Sequence, residues 1–333
     1  MKLLVTGGAG YIGSHTVQLL IEAGHEVTVI DSLEKGHRAA IHPAAYFVQG
    51  DIGDQMLLDH IFGQARFDGV LHFAAYIEAG ESMQEPERFL LNNTARAYVL
   101  LAAMISHGVR RFVFSSTAAI FGDPKYIPID EAHPKNPTNT YGFAKYQVEQ
   151  GLEWLNSMRG LGVCCLRYFN ASGCSLELGE DHNPETHLIP LLLQVAAGDR
   201  PEIYIYGSDY STPDGTCVRD YIHVLDLARA HVLAVEALQP GEWRAYNLGN
   251  GLGYSVRQVI EVVRKVTGHA IPMKEIGRRL GDPAILVASS AKICKEMGWA
   301  PAYSELDSIV RSAWEWKCRH PDGYSTRGTE PKY

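Results

Sequence analysis

Tyr141 and Lys145 stand four residues apart in a segment with helical periodicity. On a helix this spacing places a phenol and an ammonium group on one face. A free tyrosine has a pKa of roughly 10 and is a poor base at neutral pH. A neighbouring lysine, or another positive charge bound nearby, would favour the phenolate, as general base catalysis requires. The same spacing occurs on ordinary surface helices, but here the pair follows a predicted strand and the run Ser115-Ser116-Thr117.

A glycine-rich turn, residues 7–13, joins the first predicted strand to the first predicted helix. A dinucleotide site needs glycine for the turn, for close approach of the backbone to a pyrophosphate, and for helix–strand packing. The N-terminus of the helix then presents N–H groups and a partial positive charge to the phosphates. The turn therefore predicts cofactor contacts from Gly7, Gly10, Tyr11, Ile12 and Gly13.

Asp31 ends the second predicted strand, 18 residues after Gly13. A carboxylate at this position binds the adenosine ribose hydroxyls and repels the 2′-phosphate of NADP. Asp31 and its neighbour Ser32 are therefore predicted to bind the cofactor, which is expected to be NAD. The nearby cations Lys35 and Arg38 are interpreted as solvated loop charges.

The elements that position these groups alternate along the first half of the chain. Strand-then-helix alternation predicts a parallel sheet with helices on both faces. The predicted strands are 2–6, 26–30, 46–49, 69–73, 111–115 and 163–167, and the predicted helices are 12–23, 86–107 and 141–157. In the second half, which is richer in proline, glycine and polar clusters, periodic segments recur at 187–197, 224–237, 255–267 and 305–317.

These patterns predict an α/β protein with a doubly wound Rossmann sheet and a smaller mixed α/β substrate domain. Residues 1–170 are assigned to the NAD-binding domain. Residues 171–333 are assigned mainly to the substrate domain, and some of their segments are expected to rejoin the first domain. The chain has 333 residues, of which 46% are hydrophobic, and this suffices for a full core.

Charge and cysteine content restrict the partners and the location. The net charge of −8 gives no sign of the basic face that a nucleic-acid binder carries. The apolar N-terminal segment is soon broken by glycines and is too short for a signal peptide or a membrane span. Six cysteines form no CxxC pair, which predicts reduced thiols in a cytoplasmic protein.

In its motifs the chain resembles the extended short-chain dehydrogenase/reductase family, and within it the UDP-glucose (UDP-galactose) 4-epimerases. The similarity runs from residue 1 to about residue 322. The N-terminal motifs are common to the whole family, whereas the motifs at 218–224 and 278–282 are more specific for the epimerases. The matching stretches are 6–15, 50–52, 72–75, 80–82, 92–93, 115–117, 141–145, 167–170, 218–224, 247–249 and 278–282.

The resemblance implies roles for the residues of the first half. Tyr141 is implied as the base, Lys145 as the ligand of the nicotinamide ribose, and Thr117 as a hydrogen-bond partner of the sugar hydroxyl. Some members carry a lysine after the FA[AG] segment, where it contacts the cofactor. Residues 76–78 offer no cation here, so weaker NAD retention is expected unless another residue compensates. Further implied cofactor contacts are Asp51, Ile52, Phe73, Ala74, Ala75, Asn92, Ser115 and Tyr168.

The resemblance assigns the UDP group to the second half. Paired guanidinium groups match the anionic oxygens of a pyrophosphate. Besides Thr117 and Tyr141, the implied substrate-binding residues are Asn170, His187, Leu188, Tyr204, Tyr206, Arg219, Val256, Arg279 and Asp282. His182 and His187 flank a short polar run, but no third ligand with metal-like spacing follows, so no metal site is predicted.

The implied reaction interconverts UDP-galactose and UDP-glucose. Tyr141 takes the proton of the 4-hydroxyl while hydride passes to NAD, the 4-keto sugar turns, and hydride returns to its other face. A 4,6-dehydratase needs an acid–base carboxylate pair after the active-site threonine, where Ala118 and Ala119 stand. Epimerisation of a UDP-N-acetylhexosamine, UDP-pentose or UDP-uronate remains an alternative. A non-catalytic NAD sensor is a further one, although such a protein could dispense with Tyr141 and Lys145.

Two more expectations come from the resemblance. The residue a few positions after the 278–282 motif is implied as a gate beside the hexose, and the matching residue is Leu286. Leu286 could equally be a core residue of a strand, because 284–288 is apolar throughout.

The helices predicted at 86–107 and 141–157 correspond to helices that pair in family homodimers. Their apolar stripes include Phe89, Leu90, Tyr98, Leu101, Trp154 and Leu155, so a homodimer is predicted, although such stripes could also face the sheet.

Overall fold

The computed structural model describes residues 1–279 and 281–324. Its strands are β1 (Lys2–Thr6), β2 (Glu26–Asp31), β3 (Tyr46–Gln49), β4 (Gly69–His72), β5 (Arg111–Thr117), β6 (Gly162–Tyr168), β7 (Asn170–Ser172), β8 (Ile203–Tyr206), β9 (Val218–His223), β10 (Trp243–Leu248), β11 (Gly253–Ser255), β12 (Met273–Ile276) and β13 (Ile285–Leu286). Its α-helices are α1 (Tyr11–Glu22), α2 (Gln55–Gln64), α3 (Pro86–Phe89), α4 (Arg96–Ser106), α5 (Thr140–Arg159), α6 (Leu188–Ala197), α7 (Val224–Ala237), α8 (Val256–Thr267), α9 (Ala291–Met297) and α10 (Leu306–Arg319).

Seven strands form one parallel sheet in the order β3-β2-β1-β4-β5-β6-β10. The strand order reverses between β1 and β4, because β2 and β3 extend to one side while β5 and β6 extend to the other. In doubly wound sheets, ligands bind at the carboxyl ends of the strands next to this reversal. The predicted Rossmann-type α/β fold is thus confirmed.

Buried apolar side chains cover both faces of the large sheet. One core lies between the sheet and α2, α4 and α5, and the other lies between the sheet and α1 and α7. Successive side chains of a strand point to opposite faces. Leu4 accordingly packs in the first core, whereas its neighbours Leu3 and Val5 pack in the second.

The second half of the chain contributes both to the large sheet and to smaller ones. β10 pairs with β6 and completes the seven strands. The strand β9 pairs with β7, β11 and β13, and β8 pairs with β12. A third core fills the space between α6, α8 and α10. The candidate substrate residues of the second half lie on or beside these small sheets.

Most predicted elements are confirmed to within about two residues, with two exceptions among the helices. The segment predicted as one helix, 86–107, is divided by a π-helical turn, Leu90–Ala95, between α3 and α4. Apolar periodicity runs through this turn, so the pattern did not reveal it. The helix α2 was not predicted, although Leu58, Ile61 and Phe62 are buried at helical spacing. Within the described ranges no helix combines the length and apolar character needed to cross a bilayer.

Candidate active site

The glycine-rich turn between β1 and α1 has no room for a side chain at three of its positions. Gly7 has a φ of 71°, and a Cβ there would lie 2.5 Å from the Ala74 nitrogen. A Cβ at Gly8 would lie 2.7 Å from Cγ1 of Val29, and one at Gly13 would lie 2.1 Å from the Gly7 carbonyl oxygen. These glycines therefore allow α1 to pack closely against the sheet.

Gly10 is different, because space lies beside it. Among the described residues a Cβ at Gly10 would approach the Gly7 carbonyl oxygen alone, at 3.4 Å. Gly10 is also the N-cap of α1, and Tyr11, Ile12 and Gly13 form the first turn of that helix without a side-chain cap. Open space at an uncapped helix N-terminus suits a phosphate group. The turn therefore fits the pyrophosphate of a dinucleotide.

Asp31 ends β2 with 8% of its surface exposed. Its Oδ2 accepts a hydrogen bond from the Ala9 nitrogen at 3.0 Å, and its Oδ1 accepts one from the Leu33 nitrogen at 2.9 Å. Burial raises the pKa of this carboxyl, and the two N–H groups oppose the shift. Both oxygens keep lone pairs for ribose hydroxyls. The adjacent Ser32 is exposed and accepts a hydrogen bond from the Glu34 nitrogen at 3.3 Å.

Three further cofactor candidates meet beside the carboxyl end of β3. Asp51 follows this strand, and Asn92 lies in the π-helical turn. Arg96 joins them, because its Nη1 lies 2.9 Å from Oδ2 of Asp51 and donates to Oδ1 of Asn92 at 2.7 Å. Ile52 is buried in the adjoining core. Arg96 is a site residue that the sequence motifs did not indicate.

The carboxyl ends of β4, β5 and β6 carry the remaining cofactor candidates. Phe73, Ala74 and Ala75 follow β4, and the backbone of Ala74 lies against the glycine turn. The hydroxyl groups of Ser115 on β5 and Tyr168 on β6 form a hydrogen bond. Burial raises the pKa of Tyr168 above its ordinary range, so its phenol stays neutral. The sheet thus brings the predicted residues to one edge, as the strand order requires.

Lys35 corrects an expectation from the sequence. It is not a solvated loop charge, because its Nζ lies 3.2 Å from Oε1 of Glu78, whose side chain is 7% exposed. The same Nζ lies 3.5 Å from the carbonyl oxygen of Asn183 in the second half. The segment after β4 has no cation of its own, and Lys35 from the loop after β2 brings one next to it. Arg38, in that same loop, lies over the ring of Phe47, 4.6 Å from its centroid.

Thr117, Tyr141 and Lys145 meet where β5 ends and α5 begins. The side chain of Asn139 caps α5 by accepting a backbone N–H at 2.8 Å. The side chain of Thr117 lies near that of Tyr141 and lowers the pKa of its phenol. One turn further along α5, Nζ of Lys145 donates to the carbonyl oxygen of Ser115 at 2.9 Å. The predicted catalytic residues therefore form one cluster at the carboxyl end of β5.

The pKa values in this cluster differ from the simple expectation. Burial raises the pKa of Tyr141 to about 12; the side chain of Thr117 lowers it, and the carboxylate of Glu78 raises it. Burial also lowers the pKa of Lys145 to about 7. The ammonium group of Lys145 is desolvated and donates to the carbonyl oxygen of Ser115. A positive charge bound next to Tyr141 would oppose the effect of burial.

Three substrate candidates of the second half, Arg219, Asp282 and Leu286, lie together beside the paired strands β9 and β13. Arg219 on β9 is buried and forms an ion pair with Asp282. Leu286 on β13 stands in register with Arg219. Leu286 also packs against a small core that contains Ala118, the residue after Thr117. The pairing of β9 with β13 thus connects the predicted diphosphate site with the predicted sugar site.

Five further substrate candidates flank β9, lie on β8 or lie beside β8. Asn170 begins β7 and Val256 follows β11, and both of these strands pair with β9. Tyr204 and Tyr206 share the solvent-facing side of β8, each 38% exposed. The guanidinium of Arg279 lies 4.2 Å from the ring centroid of Tyr206. The contact with Tyr206 orients the guanidinium group of Arg279, whose N–H groups can bind the anionic oxygens of a diphosphate.

His187 and Leu188 stand at the start of α6, His187 as its N-cap and Leu188 as its first residue. Nδ1 of His187 lies 2.9 Å from Oε1 of Glu180 and 2.8 Å from Oε1 of Glu185. No metal site was predicted from the sequence, because no third ligand with metal-like spacing follows the two histidines. The structure corrects that premise, because two carboxylates join His182 and His187 in one group.

Two residues that support the catalytic helix were missed as functional candidates. Oγ of Ser82 accepts a hydrogen bond from the Tyr141 nitrogen at 3.1 Å. On the same face of α5 as Lys145, Glu149 forms a fully buried ion pair with Arg167 of β6 at 2.7 Å. Lys145 and Glu149 are four residues apart, so they lie on the same face of α5. This spacing could have indicated that Glu149 also faces the sheet.

This geometry has close counterparts among known proteins. The sequence model of the NAD dependent epimerase/dehydratase family matches residues 3–249. A UDP-glucose 4-epimerase of Halalkalibacterium halodurans is 51% identical over 333 residues, which cover 99% of each chain. The structure of UDP-glucose 4-epimerase from Brucella ovis in complex with NAD has a TM-score of 0.90 and 44% identity, covering 94% of this chain and 97% of that one. The structure of the Bifidobacterium longum enzyme in complex with NAD⁺ and UDP has a TM-score of 0.93 and 37% identity, covering 97% and 100%.

Proposed function

The chain belongs to the NAD dependent epimerase/dehydratase family, and on this basis we propose that it interconverts UDP-glucose and UDP-galactose with NAD as its cofactor. The observation that carries the proposal is the cluster of Thr117, Tyr141 and Lys145 at the end of β5. This cluster shares one sheet edge with a glycine turn that fits a dinucleotide. The names of the full-length relatives support the choice of sugar nucleotide.

The residues at the end of β5 perform the proton transfer. NAD, when bound, supplies a hydride acceptor and then a hydride donor at C4 of the sugar, so there is no net redox change. As a phenolate, a form that a positive charge bound beside it would favour, Tyr141 accepts the proton of the 4-hydroxyl and later returns it. The hydroxyl of Thr117 hydrogen-bonds the reacting oxygen and keeps it directed at Tyr141. Lys145 binds the ribose next to the nicotinamide.

The second half binds the UDP group and leaves the hexose free to turn. Arg219 and Arg279 bind the diphosphate, because guanidinium groups match paired anionic oxygens. His187 and the start of α6 add N–H donors from a helix N-terminus. A firm grip on UDP and a loose one on the sugar let the 4-keto intermediate present its other face. This freedom converts one 4-epimer into the other.

The proposal is tested by incubating the purified protein with UDP-galactose, without added NAD, and separating the products by chromatography. We expect UDP-glucose to form, because NAD bound during expression is regenerated in each turnover. Tyr141→Phe is the matched control and should form little product. If the absorbance of the bound cofactor changes but no UDP-glucose is formed, the protein is an NAD-binding sensor and the enzymatic proposal is rejected.

A second candidate substrate is UDP-N-acetylglucosamine, and the position of Leu286 favours it. Leu286 is half-buried and packs beside the core that contains Ala118. Leucine is smaller than tyrosine, so this side of the sugar site has room for part of an N-acetyl group. We propose slower but measurable turnover of the N-acetylated sugar than of UDP-glucose.

We also propose that the protein forms a homodimer through α4 and α5. Only part of the predicted apolar stripe faces solvent, since Phe89 and Leu101 are buried. Tyr98, Trp154 and Met158 are 38%, 68% and 65% exposed, on two helices that lie side by side. A second copy would cover them. Light scattering at micromolar concentration should give twice the chain mass, and Trp154→Glu should weaken the dimer.

The thiols support a cytoplasmic location, which we propose on that basis. All six cysteines are free, four of them buried and two exposed. Exposed free thiols are typical of proteins in a reducing compartment. Fractionation of cells that produce the protein, followed by immunodetection, would place it in or outside the cytoplasm.

A further inference from the structure

Four potential metal ligands converge in the segment that leads into α6. They are Glu180, His182, Glu185 and His187, and one ligand atom from each lies within 4.8 Å of the others. Nδ1 of His182 lies 3.0 Å from Oε1 of Glu180, and Nδ1 of His187 lies 2.9 Å from that same oxygen. Two nitrogens and two oxygens thus surround one small volume.

Hydrogen bonds satisfy part of this cluster, because Oε1 of Glu185 accepts from the Thr186 and His187 nitrogens, both at 2.7 Å. Nδ1 of His187 carries at most one hydrogen but faces oxygens of both Glu180 and Glu185, at 2.9 and 2.8 Å. The two carboxylates are also only 6% and 5% exposed. Buried carboxylates are costly unless positive charge or a metal compensates them. A metal ion bound here would replace protons held between these histidines and carboxylates, and it would supply positive charge to both carboxylates.

We propose that Glu180, His182, Glu185 and His187 bind a divalent transition-metal ion, with Zn²⁺ as the best match. Imidazole nitrogens and carboxylate oxygens are ordinary zinc ligands, and four of them suit its tetrahedral coordination. The two carboxylates neutralise the double charge of the ion. The metal site shares His187 with the proposed substrate site, but the two proposals are tested separately because metal content is measured without turnover.

A cavity beside the cluster gives the ion a route in. It has a volume of about 70 Å³ and is lined by Glu180, His182 and Glu185 on one side. Trp316 of α10 also lines it, and within the described part of the chain its buried indole N–H has no hydrogen-bond partner. A cavity of this size with polar walls admits water. The ligands are thus reachable from solvent without unfolding.

The ion would position the start of α6. When Nδ1 of a histidine binds a metal, the other ring nitrogen carries the hydrogen and becomes a donor. His187 is the N-cap of α6, so its Nε2–H would be fixed next to the N–H groups of the first turn. Asp181, between two of the ligands, accepts a hydrogen bond at its carbonyl oxygen from His37 at 2.7 Å. The ion would thereby anchor a segment that contacts both halves.

The test measures zinc bound to the untagged, NAD-loaded protein. The protein is dialysed against a chelator, and Zn²⁺ is then titrated in competition with a chromophoric chelator. We expect one tight site per chain, and His182→Ala should weaken it at least about 100-fold, beyond the loss typical of a ligand's hydrogen-bond partner. His60→Ala is the matched control, because His60 is an exposed histidine on α2 and should leave the affinity unchanged.

Two further measurements keep the test decisive. A Cys294→Ser/Cys318→Ser chain removes the exposed thiols and should still bind one zinc ion. Removing zinc should lower the thermal midpoint of the wild type but not that of His182→Ala, since a ligand of the native state stabilises it. The proposal is overturned if the wild type binds no zinc at micromolar concentration. It is equally overturned if zinc depends on the two cysteines, or if His182→Ala binds zinc like the wild type.

Discussion

Nζ of Lys145 donates a hydrogen bond to the carbonyl oxygen of Ser115 at 2.9 Å, and this contact joins α5 to β5 inside the protein. Only 2% of Lys145 is exposed. The contact places the ammonium group at the strand end that also carries Thr117. It also leaves a buried cation whose pKa is lowered to about 7.

The buried Lys145 makes stability depend on pH. Its folded pKa of about 7 is below the unfolded value near 10.5, so between these values the unfolded chain binds more protons. The contribution of Lys145 to the free energy of unfolding is therefore most favourable above pH 10.5, where the side chain is neutral in both states. It decreases as the pH falls to 7. The free energy of unfolding of the wild type, minus that of Lys145→Met, should rise by about 1.4 kcal/mol per pH unit in this window. Urea denaturation of the cofactor-free proteins measures it, and parallel pH curves would contradict the low pKa.

Tyr141→Phe should fold and retain NAD but lose most activity. Removal of a general base typically costs about 10²–10⁴-fold in rate. The substitution keeps the aromatic ring and removes only the oxygen. Turnover of UDP-galactose measures the loss, and absorbance of cofactor released by denaturation measures retention. Near-normal turnover in this variant would refute the role of Tyr141.

Asp31 should determine the choice between NAD and NADP. Asp31→Ala removes the carboxylate that opposes a 2′-phosphate. It should lower the affinity for NAD and reduce the difference in affinity between NAD and NADP. It also removes acceptors for the nitrogens of Ala9 and Leu33, so Asp31→Asn, which keeps one acceptor oxygen, is the matched control. Calorimetric titration with both cofactors measures the ratio. Equal affinities in the wild type would show that Asp31 does not discriminate.

Lys35 should slow the release of NAD, because its ion pair with Glu78 connects the loops after β2 and β4. Lys35→Met should lose the cofactor several-fold faster during dialysis. Arg38→Met is the matched control, since Arg38 is a cation of the same loop that packs on Phe47 instead. Equal release from both variants would indicate a general effect of loop charge.

Leu286 should limit the size of the sugar. Leu286→Tyr should abolish turnover of UDP-N-acetylglucosamine and spare that of UDP-glucose, because a larger ring fills the space beside the C2 substituent. Parallel kinetics with the two substrates measure this difference. If both activities fall equally, Leu286 supports the small core that contains Ala118 rather than gating the sugar.

Local patterns were sufficient for the parts of the site that depend on neighbours in the chain. The spacing of Gly7, Gly10 and Gly13 predicted the turn and its helix. In the structure a Cβ at Gly7 or Gly13 would clash with neighbouring backbone atoms, as that prediction requires. The helix that bears Tyr141 and Lys145 was also predicted, within about two residues. These features follow from backbone sterics and from helical spacing, which act over a few residues.

What the sequence by itself determined is therefore the sheet, its glycine turn, and the helix that carries the base. Tertiary structure decided which partners those side chains meet. It directed Lys145 to Ser115 rather than to Tyr141, and it brought Lys35 to Glu78 across 43 positions of the chain. Such contacts depend on how separate strands and loops pack. No pattern within one segment reports the burial that then determines pKa, charge pairing and ligand geometry.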